Sequence, residues 1–105
     1  SPRATQQYWQ RIRTGMGATK VDNFARYYEI PGYGHAVSSV FNAAWDSLTT
    51  LENWVEKGIA PGPQTVADTA GVPGRTRPLC EFPTYPKYAG AGDMNLAASF
   101  TCAKP

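Results

Sequence analysis

The chain has 105 residues, 42% of them hydrophobic, with 10 basic and 8 acidic side chains and a formal charge of +2. That length sets one domain at most, and the apolar share excludes a disordered tail. The charges are scattered without runs of one sign, so there is no electrostatic footprint for nucleic acid or an anionic membrane. No apolar run approaches the roughly 20 residues of a membrane span.

Ser1 followed by Pro2 reads as a helix start, because Ser supplies the capping oxygen and Pro fits a first turn where its missing N–H is unpaired anyway. Tyr8, Trp9, Ile12 and Met16 fall on one helical face and Gly17 is the stop, which predicts a helix over about 2–16. No apolar h-region follows Ser1-Pro2-Arg3, so no signal peptide is expected within the chain. Phe24 to Ile30 is dense in aromatic and β-forming residues and predicts a strand. Pro31-Gly32-Tyr33-Gly34 ends it, and His35 sits in the loop that follows. A second helix is predicted from Ser39 or Asn42, since Phe41, Ala44, Trp45, Leu48, Leu51 and Val55 recur at spacings of three and four. Lys57 suits its last turn and Gly58 its C′ position. Gln64 to Thr69 reads as a short strand, and from Gly71 onward turn residues predict an irregular tail. The expected order is helix, strand, His loop, helix, irregular tail. One strand between two helices is a unit of an α/β sheet but cannot make a sheet, so the chain is expected to be a piece of a larger fold.

His35 is the chain's one histidine. It is expected just past the carboxyl end of a strand, where open α/β sheets bind ligands and where an α/β-hydrolase places the last member of its triad. Its functional role would be to move a proton between nucleophile and leaving alcohol; the alternative is a loop histidine with no task. No G-x-S-x-G sequence occurs. Ser38 and Ser39 read as helix caps, and neither Asp22 nor Asp46 reads as a triad acid, so the chain alone should not hydrolyse an ester. Cys80 and Cys102 either pair or remain free thiols; a bridge closing 22 residues would contribute about 3 kcal/mol. One histidine and two distant cysteines make no zinc site, and Gly92-Asp93 is a turn rather than half a calcium loop, so no metal is expected. Tyr27, Tyr28, Trp45 and Trp54 read as core, whereas Tyr33, in the His loop, is placed to reach a substrate. Two rival readings remain: a small secreted binding module, with Tyr33, Trp45 and Trp54 forming a surface for a glycan or phenolic ligand, and a non-catalytic remnant.

Four blocks in order carry a resemblance over nearly the whole chain. FARYYEIPGYGHAV (24–37), FNAAWDSLTTLENWVEKGIAP (41–61), RTRPLCEFP (75–83) and GDMNLAASFTC (92–102) resemble the C-terminal part of tannases and feruloyl esterases. The resemblance implies an α/β-hydrolase fold with a lid inserted upstream, and hydrolysis of esters of aromatic acids such as gallate or ferulate by a Ser-His-Asp triad. It implies that His35 is the triad histidine, with the acid shortly before Ser1 and the nucleophile far upstream. Ser1 then looks like the product of processing or truncation, and the upstream fragment is the expected partner. Cys80 and Cys102 match a disulfide near the family's C-terminus, which favours an extracellular or periplasmic location. Calcium belongs to the lid, whose residues are not in this chain, so no cofactor is expected here. One departure stands out. The family usually places a cysteine after the histidine, bridged to another beside the nucleophile, and this chain has Ala36. His35 must then be positioned by packing and hydrogen bonds alone.

Overall fold

The computed structural model describes residues 1–35 and 37–105, so the departure at Ala36 lies outside the described residues. The first helix, α1 (Pro2–Met16), has Pro2 in its opening turn, and Ser1 makes no side-chain cap. Gly17, at φ 90°, stops it and donates its N–H to Arg13 O; a residue without Cβ takes that backbone conformation freely. A short helix, α2 (Ala18–Asp22), follows and buries Val21 completely. No residue of α1 is buried. The helix leans on residues 24–30 through two contacts. Trp9 meets the Tyr27 ring edge-on at 5.7 Å, and Gln6 Nε2 donates to Glu29 Oε1 at 2.8 Å.

Residues 24–30 are not the predicted strand. They hold a single antiparallel bridge, Tyr28 to Glu81, beside a 2.9 Å bond from Phe82 N–H to Tyr27 O. β-forming side chains make a ladder only where a neighbouring backbone runs alongside, and here the neighbour touches at one point.

The second long helix also starts later than its periodicity predicts. Ala43–Ala44 form a short strand, β1, and the helix α3 spans Ser47–Lys57. Asp46 fixes the start as N-cap, accepting from Thr49 N–H at 3.1 Å and Thr49 Oγ1 at 2.8 Å. Ala44 is drawn away by sheet pairing and Phe41 by burial in the core, and both outweigh their helical spacing. Gly58 ends α3 in the left-handed region at φ 67°.

The expected irregular tail is largely sheet. β2 (Gln64–Asp68) agrees with the reading of 64–69. β3 (Thr76–Leu79), β4 (Tyr85–Tyr88) and β5 (Phe100–Ala103) were not foreseen. One antiparallel sheet has the order β1-β2-β3, with Ala43 opposite Asp68 and Gln64 opposite Leu79. A second pairs β4 with β5, Tyr85 opposite Ala103. The disulfide Cys80–Cys102, its Cα atoms 5.5 Å apart, ties the end of β3 to β5 and so joins the two sheets. Arg77 reinforces the join from β3, its guanidinium 4.1 Å from the Phe100 ring.

Among the described residues the buried apolar side chains are Val21 in α2, Phe41 before β1, Val66 in β2, and Leu79 and Cys80 at the end of β3, a thin core. Leu48, Leu51 and Val55, the predicted apolar stripe of α3, stay 66%, 55% and 76% exposed. No described helix is long and apolar enough to cross a membrane.

Candidate active site: the His35 loop

A histidine serves proton transfer only if the backbone on both sides of it is held. The described residues of 31–40 lie in no helix or strand, so the holding falls to side chains. Pro31 and Gly32 turn the chain, Gly32 at φ 78°. Tyr33, half-buried, donates its N–H to Ile30 O at 3.3 Å. His35 follows at a bend, exposed. Ser38 then closes the loop, its Oγ donating to Gly32 O at 2.8 Å and accepting from Val40 N–H at 3.2 Å. There is no helix here for Ser38 to cap. Its hydroxyl joins the incoming and outgoing arms of the loop instead.

The outgoing arm is fastened to the turn between β2 and β3. Asn42 N–H donates to Asp68 Oδ1 at 3.0 Å, and Arg75 Nη2 donates to both Val40 O at 2.8 Å and Asp68 Oδ2 at 2.9 Å. Asn42 O accepts from Thr69 N–H at 2.9 Å, and Asn42 Nδ2 donates to Thr69 Oγ1 at 2.7 Å. Asp68 is only 1% exposed, and its remaining acceptor positions are filled by the amides of Ala70, Gly71 and Val72. Burial by itself would raise this carboxyl. The amides of Val72, Ala70, Asn42 and Gly71 outweigh it and hold the group well below the usual carboxylate range. Asp68 and Arg75, which fasten the outgoing arm, are residues that the sequence reading missed. The available signal was Asp68-Thr69-Ala70-Gly71, an Asp opening a turn with Gly three positions on.

A cleft of about 440 Å³ lies between the loop arms and β3, walled by Pro31, Gly32, Val40, Phe41, Pro78 and Leu79. Arg75 borders it, and its Nε is buried without a hydrogen-bond partner. Neither His35 nor Tyr33 lines this cleft. Trp45 and Trp54 are each engaged in packing. Trp45 is edge-on to Tyr28 at 5.4 Å with its Nε1 donating to Gln64, and Trp54 lies under Arg26 at 4.8 Å. Asp22 pairs with Arg13 at 2.5 Å. Among the described residues no three His, Cys, Asp or Glu side chains gather as metal ligands.

Comparisons with known proteins give the chain's family. The family described as tannase and feruloyl esterase matches residues 1–103. An esterase of Agrobacterium fabrum is 42% identical over 98% of this chain and 19% of its own length. The mono(2-hydroxyethyl) terephthalate hydrolase of Piscinibacter sakaiensis is 37% identical over 96% of this chain and 17% of its own. The crystal structure of feruloyl esterase B from Aspergillus oryzae superposes with a TM-score of 0.84 at 21% identity, over 98% of this chain and 24% of that one. That last likeness shows the fold, of α/β-hydrolase type, of which this chain is a small mixed helix and sheet portion. The chain spans about a fifth of the length of the curated relatives it matches. By the family match and these relatives, the chain belongs to the tannase and feruloyl esterase family, whose members are esterases.

Proposed function

We propose that this chain is the histidine-bearing part of a serine carboxylic ester hydrolase that acts on esters of aromatic acids. The observation that carries the reading is an exposed histidine on a loop with both arms tied down, in a chain of an esterase family. His35 takes the proton from a serine hydroxyl as that oxygen attacks the ester carbonyl. It then delivers the proton to the departing alcohol, and a water repeats the sequence on the acyl-enzyme. The serine and the triad acid come from polypeptide outside these 105 residues, so this chain by itself is inactive. The family's description and the terephthalate named for the Piscinibacter relative support an aromatic acyl group. Tyr33, two residues before the histidine, is the substrate-contacting residue of this segment. The Cys80–Cys102 bridge favours a location outside the cytosol. A lid calcium would belong to the lid, and no step here runs through a metal. The binding-module reading loses support because Trp45 and Trp54 are engaged in packing.

Mixing this chain with the upstream part of a family esterase should restore hydrolysis of a feruloyl or galloyl ester. His35→Ala in the reconstituted enzyme should abolish turnover. Retained turnover would remove His35 from the mechanism.

A further inference from the structure

The His35 loop is held by a device far along the chain. Its outgoing arm has no regular structure until Ala43, yet three of its backbone groups are fixed by the β2–β3 turn: Val40 O by Arg75, Asn42 N–H by Asp68, and Asn42 O by Thr69. The contact is also steric. A Cβ at Gly71 would run into the Val40 carbonyl oxygen and stand 3.0 Å from Asp68 Oδ2. The turn is thus pressed onto the loop arm with no room for one methyl group. The arm in turn reaches Gly32 through Ser38, so a shift of the turn moves both ends of the seven-residue stretch 32–38 that carries His35.

We propose that Asp68, Arg75 and Gly71 form a clamp that positions His35 for proton transfer, resting on the reading of His35 as the general base. Asp68 acts as the hub. A carboxylate with every acceptor position filled fixes Asn42 on one side and Arg75 on the other, and Arg75 carries the restraint on to Val40. None of the three touches substrate; they are positioning residues. Their effect belongs in turnover, because misplacing a reacting group by about 1 Å costs on the order of a hundredfold in rate, while substrate binding made elsewhere is untouched.

The test uses the reconstituted enzyme, with this chain supplied isotope-labelled so that its one histidine gives one ring signal. Gly71→Ala and Arg75→Ala are compared with Tyr88→Phe, which removes a 2.7 Å bond to Gly92 O in the other sheet. The two clamp variants should lower kcat by roughly tenfold to a hundredfold at unchanged KM and shift the His35 ring signal. Tyr88→Phe should leave both as they are, and Arg75→Lys should recover part of the rate. Should Gly71→Ala fail to fold, Thr69→Val, which deletes the two exposed hydroxyl bonds to Asn42, gives the same readout at smaller amplitude. Folded clamp variants with normal kcat and an unmoved His35 signal would overturn the proposal. If His35→Ala keeps its rate, the general-base reading fails instead, and the ring signal still reports whether the clamp sets the loop.

Discussion

Asn42 and Asp68 are 26 positions apart, and the backbone N–H of the first donates to the carboxylate of the second at 3.0 Å. This bond is the point at which the loop carrying His35 becomes part of the sheet, because the next residue, Ala43, pairs with Asp68 in the β1–β2 ladder. A buried carboxylate is tolerated there because each of its hydrogen-bonding positions is taken and Arg75 balances its charge. One acid therefore serves the turn, the sheet and the candidate catalytic loop.

That arrangement makes stability depend on acid. The folded-state value of Asp68 lies below the ordinary value near 3.9, so the folded chain binds that proton less readily than the unfolded chain. Its contribution is present above about pH 4 and is lost as pH falls from roughly 5 through 3.9 toward the folded value. Asp46, lowered by the Thr49 amide and then its hydroxyl, acts in the same direction from an exposed site. Denaturant midpoints measured across this window should fall steeply for the native sequence. They should fall much less steeply for Asp68→Asn, which starts from a lower plateau, and only slightly less steeply for Asp46→Asn. Equal slopes in the native chain and Asp68→Asn would show that the carboxylate is not the linked group.

The disulfide should matter as much as any single core residue, because the apolar core is thin and the bridge joins two small sheets. Replacing both Cys80 and Cys102 by Ser should cost about 3 kcal/mol by the loop-closure argument for a separation of 22. Chemical denaturation with and without reductant reads this directly. A reductant-insensitive midpoint would mean that Arg77 on Phe100 and the Thr76–Asn95 bond already hold the sheets together.

What the sequence made legible were features set by neighbours in the chain. Helix α1 and its stop at Gly17, the left-handed Gly58 and the strand 64–68 follow from spacing, caps and turn residues. Features set by distant partners were not legible. Residues 24–30 have strand composition but too little neighbouring backbone, whereas Tyr85–Tyr88 contains Pro86, a signal against a strand, yet forms one. The proline is tolerated because β4 pairs on one side only. Phe41 and Ala44 kept the helical period and still went to the core and to β1, because Asp46 caps the helix after them. At the site, His35 stood out as the one histidine, but the residues that hold its loop lie beyond an intervening helix and strand. No local pattern connects Asp68 to Asn42.

Tyr27 should titrate late. Burial, then its hydrogen bond to Glu29 and that residue's charge, push its phenol up to about 12. The folded state thus holds the proton more tightly than the unfolded chain, whose value is near 10. The resulting stability is present below pH 10 and is lost as pH rises from 10 through about 12. Tyrosinate absorbance should show one component near the upper end of that range, absent in Tyr27→Phe. If every tyrosine titrates near 10 while the chain is folded, the 2.6 Å bond from Tyr27 Oη to Glu29 does not persist in solution.

The outer face of α3 predicts how the isolated chain behaves. Leu48, Leu51 and Val55 lie at spacings of three and four on one side of the helix, and each is more than half exposed. An apolar stripe of this kind on a chain with so small a core draws it into association. Sedimentation of the chain alone should show self-association that grows with concentration, and Leu51→Lys should reduce it without altering the helix content read by circular dichroism. In the reconstituted enzyme the same substitution should weaken capture of the upstream part if that part covers the stripe. A native chain that stays monomeric at high concentration would mean that the stripe is not sticky. A Leu51→Lys chain that reconstitutes as well as the native sequence would mean that α3 faces solvent in the whole enzyme.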